Sequence, residues 1–177
     1  MKELKEILLH RRSVRQFTDE VITKEEMDQV ILAGLTSASG RNAKPWRFIV
    51  VQNPETIAKM TKFRVGVEAV VKNAKALVIV IGDTSSRTWI EDCSIAMTNM
   101  QLMADDIGLG SCWVFGRECP TETGESSDTY IRNLLHYPEY YALEAVLVLG
   151  HTSKHPQPYT EDQLAYDHVF YEEYKAQ

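Results

Sequence analysis

The chain has 177 residues, with 19 lysines and arginines against 25 acidic side chains, for a formal net charge of −6. That balance disfavours a nucleic-acid role, because the phosphate backbone needs a basic face, but it leaves room for a local phosphate site. No apolar run approaches the roughly 20 residues that span a bilayer. With 44% apolar residues, this length predicts a single domain, residues 1–177, burying about 70% of its extended-chain surface. The start, MKELKEILLHRRS, breaks its apolar run with glutamates and lacks a small-residue cleavage site, so no secretory leader is expected and the cytoplasm is the expected compartment. Cys93, Cys112 and Cys119 form no CxxC pair, which argues against a disulfide framework and a zinc site.

Taken in order, Leu4, Ile7 and Leu8 recur at helical spacing and predict a helix over 2–10. Thr23 with Glu26 three residues on is a capping-box signature, and Met27, Val30, Ile31, Gly34 and Leu35 continue one apolar face to about residue 37. Residues 46–51 read as a strand closed by Asn53-Pro54. Helices are expected over 55–63 and 66–72, then a buried strand over 76–81. The clearest helix is 88–107: Ile90, Cys93, Met97, Met100, Ala104 and Ile107 step by three or four, with Asp92, Asn99 and Asp106 as its polar positions. Met97, Met100 and Met103 read as core or interface fillers. Gly108 and Gly110 are read as its end. Residues 111–115 form a predicted buried strand, 119–128 a turn-rich insert, 129–135 a helix and 141–149 the longest strand. There is no steady βαβ rhythm, so a mixed α+β architecture is expected over a doubly wound one. After Gly150 the chain is polar with prolines yet carries five aromatic residues, poor material for disorder. Residues 151–177 are expected to pack extended across another surface, a partner subunit being the natural candidate.

Two stretches invite a ligand. Arg11, Arg12 and Arg15 bracket Ser13, giving three fork-shaped donors and a hydroxyl suited to phosphate. The same arginines equally complement a helix C-terminus in solvent. SASGRNAKPWRF sets Ser39, Asn42 and Lys44 against a proline-fixed strand entry. These side chains either face a polar planar ligand or cap a helix exit.

RRSVRQF, SASGRNAKPWRF, DCSIAMTNMQLMADDIGLGSCWVFG and TYIRNLLHYPEYYALEAVLVLG, in this order, resemble the signatures of the nitroreductase family over residues 7–158. The resemblance implies a central, mostly antiparallel sheet flanked by helices, an intertwined homodimer, and FMN held where two subunits meet. It implies transfer of two electrons from NADH or NADPH through FMN to an electron-poor acceptor such as a nitroaromatic or quinone. By the family pattern, Arg11, Arg12 and Ser13 approach the phosphate or ribityl chain, and Arg15 the ring's polar edge or the phosphate. Ser39 and Asn42 lie near the flavin, and Phe115 and Gly116 place backbone groups by its reactive edge.

Several positions depart from that pattern. Lys44 stands where many relatives have glutamine, and a cation there favours an anionic reduced flavin. Phe115 replaces a frequent glycine or glutamate, and its ring either narrows the cleft or belongs to the core. His155 and Tyr159 stand where relatives carry a lysine and an arginine, and tyrosine cannot replace a cation; Lys154 offers compensation. GLG after a helix is no dinucleotide fingerprint. His151 and His155 form no recognisable metal constellation, no GxSxG or Cys-His order supports a nucleophile, and Asp105-Asp106 and Glu25-Glu26 read as solvated helix residues rather than catalytic acids. No catalytic side chain is expected, since the cofactor carries the redox chemistry. Alternatives are reduction of an activated alkene or a halogenated aromatic, a flavin- or nucleotide-binding regulator without turnover, and a structural homodimer without flavin.

Overall fold

A computed structural model describes residues 3–174. Four strands, β1 (Trp46–Val51), β2 (Ala76–Asp83), β3 (Gly110–Phe115) and β4 (Tyr141–Gly150), form one antiparallel sheet in the order β1-β2-β4-β3. Around it stand α1 (Leu4–His10), α2 (Lys24–Leu35), α3 (Pro54–Met60), α4 (Glu68–Val71), α5 (Trp89–Asp106) and α6 (Ser127–Leu135). The two inner strands are almost unbroken apolar runs because helices cover both of their faces. Ala76, Val78, Val80, Ala145, Leu147 and Leu149 pack with the apolar stripes of α2 and α5. Leu77, Ile79, Ile81, Val146 and Val148 face the opposite cluster with Ile57, Val71 and Ile131. This is the expected α+β sheet flanked by helices.

Helix starts follow local chemistry. Thr23 and Glu26 form the reciprocal capping box. Asn53 accepts from the Thr56 N–H, with Pro54 in the first turn of α3. Ser126 accepts from the Thr129 N–H, so α6 begins inside the stretch read from sequence as turns. The helices expected over 55–63 and 66–72 are shorter than expected, at 54–60 and 68–71, and residue 2 of the expected first helix lies outside the described residues. Gly108 does end α5, with φ +84°. Gly110 does not: it is the first residue of β3, paired with Gly150. Residues 151–174 hold only two short 3₁₀ turns, over 161–163 and 166–168. Among the described residues, no helix is long and apolar enough to cross a membrane.

Candidate functional site

The glycine pair explains how the arginine cluster is placed. The segment after α1 crosses the ends of β3 and β4, with the Val14 N–H donating to Ser111 O at 2.8 Å and the Thr18 N–H to His151 O at 2.8 Å. Gly110 and Gly150 leave the room: a Cβ on Gly110 would lie 2.7 Å from Val14 Cγ1, and one on Gly150 2.8 Å from Phe17 Cβ. Val14 is thereby 1% exposed, and the period-two alternation of an extended segment turns Ser13 and Arg15 away from it. Burial pushes the Cys112 thiol pKa up, while the Arg15 and Arg11 charges and a Ser13 hydrogen bond oppose the rise, so the cluster stands close to β3.

Beside β3 lies a cleft of about 450 Å³ lined by Arg15, Gln16, Arg64, Asn73, Trp113 and Val114, among others. Arg64 and Asn73 belong to this site, although no spacing in the sequence marks them. Arg64 Nη1 donates to Phe115 O at 2.6 Å. Phe115 is 40% exposed at the far end of β3, so it is not a core side chain. Gly116 is buried against Leu143. Its N–H and that of Arg117 donate to Glu144 O at 3.4 and 3.3 Å. Glu144 is the extra residue of a β-bulge between the Val80–Ala145 and Ile81–Leu143 pairs. Its buried carboxylate accepts from Ser94 Oγ at 3.2 Å and Arg117 Nε at 3.2 Å.

Ser39, Asn42 and Lys44 form a second group, at the other end of α5. Asp92 near the start of that helix accepts from the Gly40 N–H, whereas Asp105 near its end accepts from His10. Thirteen residues separate the two aspartates, about 20 Å along a helix. Ser39 is half-buried, while Asn42 and Lys44 are exposed.

The tail is strapped along α1. Arg12 donates to Gln157 O and lies over the Tyr159 ring, 4.4 Å from its centroid. The Tyr159 N–H donates to Leu9 O at 2.9 Å, and Lys5 pairs with Glu161. His155 stacks on His10, centroids 4.1 Å apart and planes at 20°. Asp105 is therefore no solvated helix residue: it is 5% exposed and accepts from His10 Nδ1 at 2.8 Å. Glu26 departs likewise, through its capping box and His151 at 3.5 Å. Ligand-type atoms of His10, Asp105 and His155 lie within 4.8 Å of one another. Both rings turn a nitrogen to the same carboxylate oxygen, His10 Nδ1 at 2.8 Å and His155 Nε2 at 3.5 Å from Asp105 Oδ1. Lys154 is exposed, its N–H donating to Thr152 Oγ1 at 3.1 Å.

The fold accords with that of known proteins. The family model described as "Nitroreductase family" matches residues 8–69 and 63–151. An FMN-dependent nitroreductase from Clostridium difficile R20291 superposes with a TM-score of 0.92 at 32% identity, over 96% of this chain and 99% of that one. A Methanothermobacter thermautotrophicus protein, provisionally named an NADH dehydrogenase/NAD(P)H nitroreductase, is 33% identical over 85% of this chain and 78% of its own length. An Archaeoglobus fulgidus protein with the same provisional name is 31% identical over 92% of each. The chain belongs to the nitroreductase family.

Proposed function

We propose that the protein is an FMN-dependent oxidoreductase passing two electrons from NADH or NADPH to an electron-poor acceptor such as a nitroaromatic or quinone. The observation that carries this reading is the cleft along β3, lined by the cations Arg15 and Arg64, with Arg11 and Ser13 close by at Cys112 and Arg64 bonded to Phe115 O. Its donors fit an anionic, planar cofactor: guanidinium groups suit a phosphate, and the lining offers polar Gln16 and Asn73 beside apolar Trp113 and Val114. FMN, when bound, supplies the two-electron chemistry.

The chain's own residues hold and orient that group. Arg11 and Ser13 take the phosphate end and Arg15 the ring's polar edge. Arg12 is engaged by Gln157 and Tyr159 and contributes less. Lys154, exposed on the same side of the fold, adds charge. His155 faces Asp105, with its Nδ1 against Pro156 O at 2.7 Å, and serves the phosphate through the position of the tail. The bond from Arg64 to Phe115 O fixes the backbone at Phe115 and Gly116, beside which the reactive edge would lie.

The second group supports a homodimer. Ser39, Asn42 and Lys44 stand at the opposite end of α5 from the arginines, as a site shared between two copies requires. Tyr166, Tyr171 and Tyr174 are 68%, 84% and 76% exposed, an aromatic surface that the partner subunit would cover. Edge strand β1, beside a groove lined by Ile31, Leu35, Trp46, Phe48 and Val50, offers apolar surface for it.

The test is an absorption spectrum of the purified protein with added FMN, then anaerobic reduction by each nicotinamide donor, with sedimentation reporting the oligomer. Uptake of FMN, bleaching by a donor and recolouring by a quinone are expected. A protein that stays colourless overturns the reading, and FMN bound without reduction leaves the regulatory alternative in its place.

A further inference from the structure

The loop Ser39–Lys44 is held in a backbone shape that its own residues disfavour. Arg41, Asn42 and Lys44 have φ of 52°, 57° and 49°, in the left-handed region that is strained for a non-glycine residue unless its surroundings impose it. Of the three, only asparagine visits that region readily. Within the loop one side-chain bond opposes the cost, the Lys44 N–H donating to Ser39 Oγ at 3.0 Å. The remainder must come from the fold beneath.

It comes from the face of α5 that the sequence pattern marks as polar. Asp92 is 3% exposed, turned inward rather than to solvent. One carboxylate oxygen accepts the Gly40 N–H at 2.9 Å and the other the Thr88 hydroxyl at 2.9 Å. Thr88, the residue preceding α5, makes no capping bond with its side chain, so its hydroxyl is committed to the carboxylate. Two turns further along the same face, Asn99 Nδ2 donates to Ser37 Oγ at 2.8 Å, and that hydroxyl donates to Ala33 O at 2.8 Å. The loop is thus pinned at its entry by Asn99 and at its apex by Asp92. A bond to a charged group is the stronger kind.

We propose that Asp92 is the positioning residue for this loop: its buried carboxylate imposes the left-handed backbone that presents Asn42 and Lys44 to the flavin. The inference rests on the proposed FMN site for its second clause, whereas its first concerns the loop alone. Asp92 touches neither cofactor nor substrate and acts only through Gly40.

Hydrogen exchange and FMN titration of the Asp92→Ala and Asp92→Asn variants separate the clauses. Asparagine retains an acceptor for the Gly40 N–H and an amide that donates to the Thr88 hydroxyl oxygen. Asp92→Ala should speed exchange of the Gly40 amide about tenfold and weaken FMN binding by a similar factor, as for a lost charge-assisted bond. Asp92→Asn should restore both to within about threefold. If the alanine variant does not fold, Thr88→Val takes its place, with a smaller acceleration confined to residues 39–44. Unchanged exchange in these variants overturns the role of Asp92. Faster exchange with unchanged FMN affinity overturns the claim that the loop serves the flavin. A wild-type protein that takes up no FMN overturns the flavin clause and the functional reading together, while the exchange result still decides whether Asp92 holds the loop.

Discussion

The Arg12 guanidinium lies over the Tyr159 ring, 4.4 Å from its centroid, at the point where the tail turns back along α1. One residue earlier, Arg11 is half-buried beside β3 and opposes the rise of the Cys112 thiol pKa. Neighbours in sequence therefore do different work. Arg11→Ala should weaken FMN binding roughly ten- to hundredfold, the loss of one charge-assisted contact worth about 1.5–3 kcal/mol. Arg12→Ala should change it much less and instead loosen the tail. A double-mutant cycle with Tyr159→Ala on urea stability should return a coupling of about 0.5–1 kcal/mol. Equal effects of the two arginine variants on FMN would refute this division.

Gly110→Ala tests the slot beneath the arginines. Its Cβ would sit 2.7 Å from Val14 Cγ1, an overpacking that costs about 1–3 kcal/mol. Displacing Val14 moves Arg15, so FMN affinity should fall along with stability. Gly108→Ala is the control. It faces open space at φ +84°, so strain of about 1–2 kcal/mol is expected with FMN affinity retained. Denaturant melts and flavin titrations on both variants decide the matter.

These two glycines also show what the sequence discloses and what it hides. Helical periodicity marks α2 and α5, and unbroken apolar or β-prone runs mark the four strands, because a packed core demands apolar residues in those patterns. Glycine after a helix is an equally local signal, and it was right for Gly108. Gly110, which the same signal marks as a helix end, opens β3 instead, and its reason lies in Val14, far away in the chain. The sequence pattern marks Asp92 only as a polar position and reads Asp105 and Glu26 as solvated, because a charged residue on a helix face usually meets water; only tertiary structure shows these carboxylates meeting Gly40, His10 and His151. Arg64 and Asn73 join the cleft from the connections before and after α4, where no local pattern singles them out. The basic cluster and the Ser39–Lys44 loop were legible through family resemblance, yet their separation by the length of α5 was not.

Thiol reactivity should follow burial. Burial, then the Glu144 and Asp92 charges, push the Cys93 pKa up to about 12, which leaves almost no thiolate near neutral pH. Cys119 is half-buried in the turn region after β3. An alkylating reagent at mildly alkaline pH should label Cys119 first and Cys93 only after denaturant is added, as peptide mass spectrometry would report. Rapid labelling of Cys93 in the native protein would mean that α5 does not seal against β2 as described.

Glu144 gives the fold a pH dependence of definite sign. Burial raises its carboxyl above the ordinary value of 4.5, against the opposing Ser94 hydrogen bond and Arg117 charge. A raised carboxyl holds its proton more tightly in the folded chain than in the unfolded one. Its contribution is therefore fully present below pH 4.5, declines as pH rises through the folded value, and is then constant. Glu144→Gln removes the charge that must be buried, so the variant should gain on the wild type as pH climbs through that window. Urea melts of both proteins at intervals from about pH 4 to 8 measure the difference. A stability gap that stays flat across the series would mean that Arg117 and Ser94 fully offset the burial of the carboxylate, and that the bulge at Glu144 carries no titrating strain beside Gly116.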